Sequence, residues 1–430
     1  MNTEQLYEIF LQHPTVTTDS RHCPEGSIFF ALRGESFDGN TFAAAALAAG
    51  CAYAVVDEHE YATDPRCLLV SDVLETLQQL AALHRRKWGH TILQITGTNG
   101  KTTTKELVHA VLAKRYKTSA TAGNFNNHLG VPLTLLSIPT DAQIAIVEMG
   151  ANHPGEIADL CGIADPDCGL ITNVGRAHLE GFGSFEGVVK TKTELYRHLA
   201  SKKGLVFVNA DNERLTQEAK GMKTCTYGRS ESADVRGTYV GSDPYLHFYF
   251  EVGDNVYNVR THLLGAYNFD NCMAAVAMGL RFGVEPFDIK EAIEEYIPAN
   301  QRSQWKETDN NKLYLDCYNA NPSSMAAAIA SFAEMNTGTP KVAIIGAMRE
   351  LGDASVEEHC KLVQALNNCH LEHCLLIGHE FDGITLGPNM TLMHSTEEAA
   401  EWLKKAKIQG KTILVKGSNS NKLWTLEQLL

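Results

Sequence analysis

A short turn with two glycines carries the residues with the clearest chemistry in this chain of 430 residues. Glycines at 97 and 100 allow successive backbone N–H groups to point at one anion, and the helix predicted after them adds partial positive charge. The Lys101 ammonium would contact outer phosphates, and the Thr102 hydroxyl would bind Mg²⁺. The sequence therefore predicts a site for a nucleoside triphosphate and magnesium, built by Gly97, Thr98, Asn99, Gly100, Lys101, Thr102 and Thr103.

This turn is shorter than the general phosphate-loop pattern, which places four residues between its glycines and would need glycine where Ile95 stands. The alternative is a glycine turn that only begins a helix. The order of apolar strand, turn, Lys-Thr pair and helix favours the phosphate site.

Three further side chains could hold a metal ion or act beside the phosphates. Glu148 ends a predicted apolar strand, where a surface glutamate is the alternative to a metal ligand. His178 taken alone is more often an ordinary loop histidine. Lys192 shares one predicted helix face with apolar residues, and burial would lower the pKa of its ammonium unless the long stem reaches solvent. The apolar members of that face are Val188, Leu195, Tyr196 and Leu199.

The composition indicates a globular protein with a marked acidic excess. Hydrophobic residues make up 44% and charged residues 20%, with a formal net charge of −14. Such a charge argues against general binding to nucleic acids or anionic membranes. No apolar run has the length of a membrane span, and the N-terminus does not have the pattern of a signal peptide, so we expect a cytoplasmic protein without membrane insertion. Its 11 cysteines are then expected to be reduced thiols.

One histidine and cysteine cluster contains enough ligand types for a zinc site. Its spacing is not a familiar ligand pattern, and part of it lies on a predicted amphipathic helix, so the sequence favours no metal there. The cluster consists of His359, Cys360, Cys369, His370, His373 and Cys374.

The alternation of predicted strands and helices indicates an α/β protein with three domains, at residues 1–86, 87–297 and 298–430. The first is a small α/β unit. The second contains a doubly wound, mostly parallel sheet, with an antiparallel appendage expected over residues 206 to 259. The third is a second doubly wound, Rossmann-like unit. Ligands of such sheets bind beyond the carboxyl ends of the strands.

Several polar residues in the first and later domains could contact ligands. In the first domain, polar loop residues could bind a phosphorylated ligand, although turn formers and solvated charges explain them equally well; these are Ser20, Arg21, Arg33, Asp38 and Asn40.

Asn268 and Asn271 lie one helical turn apart and could contact adenine or cap a helix. Arg302 could meet the γ-phosphate, and Asp316 could bind a ribose hydroxyl, but either could be a surface charge.

The glycine turn resembles the ATP loop of the Mur ligase family, and other motifs extend this resemblance over all three domains. Asp19-Ser20-Arg21 and the segment from Gly26 to Gly34 resemble the first domain of members that add later residues to the peptidoglycan precursor. Residues 124 to 134, 346 to 352 and 416 to 418 resemble the member that adds D-alanyl-D-alanine. Asn419 departs from the more usual arginine of that last loop.

The resemblance implies a ligase that uses ATP to join D-alanyl-D-alanine to UDP-N-acetylmuramoyl-tripeptide through an acyl phosphate, and we expect a monomer. It implies two Mg²⁺ ions, one held by Thr102 and Glu148 and one by His178 and carbamylated Lys192. Ser20, Arg21 and Arg33 would bind the UDP-linked sugar, Asn126 and Asn127 the sugar-peptide, and Asn268 and Asn271 the adenine. The alternatives are the ligase that adds the third peptide residue and an ATP-binding switch that is not a ligase.

Overall fold

The computed structural model describes residues 1–298 and 302–430. Their strands form a four-stranded, a nine-stranded and a six-stranded sheet, along with one small two-stranded ribbon. Helices cover the sheets, so the predicted α/β class with three successive units is confirmed. No helix in the described ranges combines the length and apolar character that crossing a bilayer requires.

The first unit is a small parallel sheet with the strand order β1-β2-β5-β6. Its buried strand residues, such as Phe30 and Val55, pack against helices on one face. The elements are α1 (Thr3–Gln12), β1 (Val16–Thr17), β2 (Ile28–Phe30), β3 (Arg33–Gly34), β4 (Phe37–Asp38), α2 (Ala43–Ala48), β5 (Tyr53–Val56), β6 (Cys67–Leu69) and α3 (Val73–Trp88). Strands β3 and β4 form the separate ribbon.

Helix α3 connects the first unit to the second. The Asp72 side chain accepts a hydrogen bond from the Glu75 backbone N–H at its start, and Gly89 ends the helix with φ 71°. Its buried Leu77 and Leu80 belong to an apolar core that also includes residues of α1 and of helices in the second unit. The predicted boundary at residue 86 falls inside this helix and stays a prediction.

The second unit contains the nine-stranded sheet, in the order β15-β14-β13-β12-β11-β10-β7-β9-β8. Its elements are β7 (Thr91–Thr96), α4 (Lys101–Ala113), β8 (Thr118–Ala120), α5 (Gly130–Leu136), β9 (Ile144–Glu148), α6 (Glu156–Ala164), β10 (Cys168–Ile171), α7 (Leu179–Phe182), α8 (Phe185–Lys192), α9 (Glu194–Ser201), β11 (Leu205–Asn209), α10 (Glu213–Glu218), β12 (Lys223–Gly228), β13 (Val235–Ser242), β14 (Tyr245–Val252), β15 (Asn255–Leu264), α11 (Asn268–Arg281) and α12 (Pro286–Glu295).

The expectation of an antiparallel appendage over residues 206 to 259 is wrong for its first half. Strands β11 and β12 pair in parallel and continue the main sheet, and only β13, β14 and β15 pair antiparallel. Aromatic and β-branched content predicts strands but not their direction, which here follows from helix α10 crossing over between β11 and β12.

The third unit is a six-stranded sheet in the order β16-β17-β21-β18-β19-β20, parallel except for the pair β16 and β17. This arrangement confirms the predicted doubly wound unit. Its elements are β16 (Gln304–Glu307), β17 (Lys312–Asp316), α13 (Pro322–Glu334), β18 (Lys341–Gly346), α14 (Ser355–Asn367), β19 (His373–Ile377), β20 (Met390–Met393), α15 (Thr396–Ala406) and β21 (Thr412–Lys416).

Replacement of Leu77 by alanine should destabilise the first and second units together. Leu77 is fully buried in their shared core, so its loss should cost about 2–5 kcal/mol of unfolding free energy. Urea denaturation followed by circular dichroism would measure this, with Leu11→Ala as the control because Leu11 on α1 is 54% exposed. Equal destabilisation by both variants would contradict the shared core.

Candidate active site

The phosphate turn lies between β7 and α4, and its geometry requires both glycines. Gly97 and Gly100 have φ values of 143° and 78°. A Cβ atom at Gly97 would lie 2.0 Å from the Thr172 hydroxyl, and one at Gly100 would lie 2.5 Å from Asn271 Oδ1. No other residue type fits these two positions without displacing its neighbours.

Lys101 is the first residue of α4 and folds back over the turn. Its Nζ donates hydrogen bonds to the carbonyl oxygens of Gly97, at 2.8 Å, and Thr98, at 3.1 Å. Burial lowers the pKa of Lys101, and Arg302 acts in the same direction while Glu148 opposes it. The ammonium is therefore placed where an anion bound by the turn would stabilise its charge.

Thr102 and Glu148, predicted to share a magnesium ion, are in direct contact. The Thr102 hydroxyl donates to Glu148 Oε2 at 3.0 Å, and the Asn126 side-chain amide donates to Glu148 Oε1 at 2.8 Å. The backbone N–H of Glu148 donates to the Thr121 hydroxyl, which fixes the end of β9 beside the turn. A buried carboxylate beside a hydroxyl gives the oxygen ligands that Mg²⁺ prefers.

Lys192 is buried on α8, as the apolar face of that helix predicted. Only 2% of the residue is exposed, its Nζ donates to the Ala151 carbonyl at 3.3 Å, and the amine lies 5.5 Å from the centre of the Phe182 ring. Burial lowers the pKa of Lys192 to about 7, and the charge of Lys101 contributes in the same direction. The neutral form of the amine is thus well populated near physiological pH, and this form is a nucleophile.

His178 has a left-handed backbone, with φ 50°, and lies between the second and third units. Its Nδ1 contacts the carboxylate of Glu350, which follows β18 and is itself left-handed with φ 60°. Burial lowers the pKa of His178; Lys101 and Lys192 lower it further, and Glu350 raises it. Two non-glycine residues held in this uncommon conformation at one contact are typical of functional sites.

Other contacts join the third unit to the phosphate turn. The Asn321 side-chain amide donates to Asn99 Oδ1 at 2.8 Å. The Arg176 backbone N–H donates to the Ser323 hydroxyl at 2.9 Å, and the Arg176 guanidinium pairs with the buried Glu358 at 2.6 Å. The third unit therefore covers the turn in this structure.

A cavity of about 500 Å³ lies between the second and third units, and this volume is typical of ligand sites. It brings together most of the residues predicted to bind nucleotide and metal. Its lining includes Thr98, Asn99, Gly100, Lys101, Thr102, Thr103, Asn126, Glu148, His178, Asn268, Asn271, Arg302 and Asp316.

Asn268 and Asn271 line this cavity and also stabilise the turn. Asn268 Nδ2 donates to the Leu264 carbonyl at 2.7 Å, and Asn271 Nδ2 donates to Asn268 Oδ1 at 2.8 Å. The Thr104 hydroxyl of α4 donates to Asn271 Oδ1 at 3.1 Å. Their predicted contact with adenine stays a prediction, and their hydrogen bonds show an additional structural role.

Arg302 and Asp316 also face the cavity. The Arg302 guanidinium stacks 3.8 Å from the centre of the Tyr318 ring, and its buried Nε has no hydrogen-bond partner among the described residues. Asp316 accepts from the buried Lys416 ammonium at 2.6 Å and from the Ser303 backbone N–H at 3.4 Å. The γ-phosphate and ribose roles of Arg302 and Asp316 stay predictions.

The remaining predicted substrate residues lie outside this cavity lining. Arg21 pairs with Asp19 and is largely exposed, whereas Arg33 pairs with Asp57 and Glu58. Asn127 Oδ1 accepts from two backbone N–H groups at the start of α5 and so acts as a cap there. The structure does not bring Ser20, Arg21, Arg33 or Asn127 to the phosphate turn, and their roles stay predictions.

The histidine and cysteine cluster between residues 359 and 374 is dispersed. His359 is buried, with Nδ1 bonded to the Ser355 carbonyl and Nε2 accepting from the Met348 N–H. His373 stacks on Trp402, and Cys374 lies in an apolar core. These contacts give the residues packing roles.

Sequence reasoning missed several residues of the site. Glu350, Tyr318 and Asn321 received no role, although they follow the carboxyl ends of β17 and β18, where ligands of doubly wound sheets bind. Their position after predicted strands was the signal that could have identified them.

Three Mur ligase domains match the chain in succession. The family's catalytic domain matches residues 14–85, its middle domain 95–279 and its glutamate ligase domain 301–419. The chain belongs to the Mur ligase family. The prediction of an ATP-dependent ligase is confirmed with it.

Two relatives with long alignments are named UDP-N-acetylmuramoyl-tripeptide--D-alanyl-D-alanine ligase. The protein from Bacillus subtilis is 37% identical over 80% of this chain and 75% of its own. The one from Escherichia coli is 34% identical over 94% of this chain and 91% of its own.

Solved Mur ligase structures show the same arrangement of three units. MurF from Acinetobacter baumannii superposes with a TM-score of 0.86 at 33% identity, covering 96% of this chain and 92% of that chain. MurF from Thermotoga maritima, in complex with ADP, gives a TM-score of 0.86 at 28% identity, covering 97% of each chain. Similarity within the family is thus to the MurF type.

Replacement of Lys192 by methionine should stabilise the protein in CO₂-free buffer. The pKa of Lys192 is about 7 in the folded chain and 10.5 in its ordinary state, so the wild type gains stability as pH rises from 7 toward 10.5. The advantage of the methionine variant should be largest at and below pH 7 and shrink above it. Urea unfolding at several pH values would test this, with Lys190→Met, at an exposed position of α8, as the control. A pH-independent difference would contradict a buried, destabilised ammonium.

Proposed function

We propose that this protein joins D-alanyl-D-alanine to UDP-N-acetylmuramoyl-tripeptide with hydrolysis of ATP to ADP and phosphate. The observation that carries the proposal is the contact of Thr102 with Glu148 beside the phosphate turn, in a chain similar over nearly its whole length to ligases with that name. The likeness to the ligase adding diaminopimelate has 18% identity and supports the shared fold alone.

The phosphate turn would position the triphosphate so that its γ-phosphoryl faces the carboxylate ending the tripeptide. Backbone N–H groups of the turn and the Lys101 ammonium would stabilise the charge that develops during transfer. The carboxylate gains a phosphate leaving group, and the amine of D-alanyl-D-alanine then forms the amide bond and expels phosphate. Arg302, which faces the same cavity, would add a second cation near the γ-phosphate.

The residues present fit the magnesium ions that this chemistry uses. Glu148 and Thr102 place oxygen atoms together at the turn, and His178 faces the same cavity. Bound Mg²⁺ would neutralise phosphate charge during transfer. We propose that Thr102 and Glu148 hold one ion, with His178 and carbamylated Lys192 holding the other.

Carbamylation of Lys192 would remove an electrostatic conflict inside the protein. The neutral form of its amine would attack CO₂, form a nitrogen–carbon bond and release one proton, which leaves a carboxylate at the end of the side chain. This change places an anion near Lys101, where a protonated Lys192 would be a second buried cation. A buried charge is stable only when it has such a partner.

The third unit would exclude water from the acyl phosphate. Its contacts with Asn99 and Arg176 hold it against the turn, and the cavity lining comes from the second and third units of one chain. Because one chain supplies this lining, the site supports a monomer.

We also propose that the enzyme works in the cytoplasm, that the first unit binds the UDP-linked sugar through Ser20, Arg21 and Arg33, and that Asn126 and Asn127 contact the peptide.

Mass spectrometry of reactions containing ATP, Mg²⁺ and UDP-N-acetylmuramoyl-tripeptide should show the pentapeptide product with D-alanyl-D-alanine. Diaminopimelate or lysine added to the corresponding dipeptide precursor should give no product. Lys101→Ala should lower the rate about 100-fold or more, because it removes a cation from the developing phosphate charge. Exposed Lys87→Ala is the control. ATP hydrolysis without any ligated product would support an ATP-dependent switch instead.

Replacement of Glu350 by glutamine should lower kcat by about 10-fold or more, because a carboxylate on Nδ1 orients a metal-binding histidine. The imidazole signals of His178 in nitrogen-15 NMR should also change in the protein without nucleotide. Glu357→Gln, at an exposed site of the same unit, is the control. An unchanged His178 spectrum would show that Glu350 does not set its tautomer.

A further inference from the structure

Three side chains outside the active-site cavity converge on one surface of the third unit. They are His379, Asp382 and His394, and their potential ligand atoms all lie within 4.8 Å of one another. None of them lines the cavity. Their arrangement has no part in the ligase chemistry proposed above.

The sheet topology brings these residues together. Strands β19 and β20 are parallel neighbours, with Ile377 paired to Met393. His379 lies two residues beyond the end of β19, and His394 follows β20 directly. A short 3₁₀ turn, His379–Phe381, then returns the chain so that Asp382 faces both imidazoles. The cluster thus depends on two adjacent strand ends of a rigid sheet.

The distances fit a single metal ion. His379 Nδ1 lies 3.2 Å from Asp382 Oδ2, and His394 Nε2 lies 2.9 Å from Asp382 Oδ1. Ligands about 2.0–2.2 Å from zinc in a tetrahedral site are separated by roughly 3.3 Å, so small side-chain adjustments suffice. The two imidazole rings stack with centres 4.6 Å apart and an angle of 18°, and both direct a nitrogen at the same carboxylate.

We propose that His379, Asp382 and His394 form a binding site for one divalent transition-metal ion of the zinc type. Two imidazole nitrogens and one carboxylate suit Zn²⁺, Co²⁺, Ni²⁺ or Cu²⁺, whereas Mg²⁺ favours sites in which most ligands are oxygen atoms. The metal would bind the imidazole nitrogens that now face Asp382, and water would complete its coordination. The site would clip the turn after β19 to the turn after β20.

The surroundings favour a cation at this place. The Glu398 carboxylate accepts the backbone N–H of His394 at 2.8 Å, and Glu397 adds a second acidic group in the first turn of α15. The side chains of His379, Asp382 and His394 are 75%, 52% and 45% exposed, so an ion can enter from solvent without any opening of the fold. The competing reading is a metal-free network of hydrogen bonds and ion pairs.

Titration of the full-length, reduced protein with Co²⁺ would test the proposal, in the presence of excess Mg²⁺ and ADP. Visible absorption reports imidazole and carboxylate coordination, and a near-ultraviolet thiolate band would reveal binding by cysteines instead. Wild type should bind one equivalent of Co²⁺ at this site. The His394→Ala variant should bind that equivalent at least 10-fold more weakly. Zn²⁺ should displace this ion and raise the thermal midpoint of wild type but not that of His394→Ala.

His153→Ala is a matched control because His153 and Glu156 form an exposed pair three residues apart, as His379 and Asp382 do, but without a second histidine. It should bind Co²⁺ as wild type does. Asp382→Asn, a nearly isosteric change, should also weaken binding, which excludes misfolding of the alanine variant as the cause. Equal Co²⁺ affinity of wild type and His394→Ala, with unchanged spectra, would overturn the proposal whatever the outcome of the ligase assay.

Discussion

The active site depends on positive charge that is held away from water. Lys192 is buried and Lys101 is half-buried, the Lys101 charge lowers the pKa of Lys192, and the Arg302 charge lowers the pKa of Lys101. Such an arrangement is costly in an isolated protein and becomes favourable when anions enter, because each charge then gains a partner. The glycine turn, the Glu148 carboxylate and the contact between His178 and Glu350 can all be understood as means of bringing anions to these cations in fixed positions.

The same constraint explains why the third unit matters. Left-handed backbone at His178 and Glu350 costs energy, and it persists only because neighbouring contacts hold both loops. The Arg176 pair with Glu358 and the amide contact of Asn321 with Asn99 provide that support from either side of the cavity. The geometry at His178 is therefore linked to the position of the third unit. Small shifts of the third unit should therefore change the backbone geometry of His178 and Glu350 together.

Local patterns predicted the burial and position of single residues well and their partners poorly. The face shared by Lys192 and Leu195 indicated burial, and the Lys101-Thr102 pair indicated the turn, because helix period and turn chemistry act over a few residues. Glu350 was missed because its contact with His178 spans 172 positions along the chain. Strand direction in β11 and β12 was misjudged, since composition does not encode which edge a strand joins. Arg33 shows a further limit of sequence reasoning. Its guanidinium pairs with carboxylates of its own unit, so its predicted role in ligand binding stays a prediction.

Helix α3 gives the architecture an asymmetry. Its apolar face, with Leu77 and Leu80, is shared between the first two units. The third unit has one core of its own, around Leu313, Val342 and Ile413, and a second core to which the second unit contributes Leu264. A hinge is therefore easiest to place after the second unit, and the first unit should travel with the nucleotide-binding sheet as one body. A sugar nucleotide held by the first unit would then stay at a constant distance from the phosphate turn throughout a catalytic cycle, while only the third unit moves.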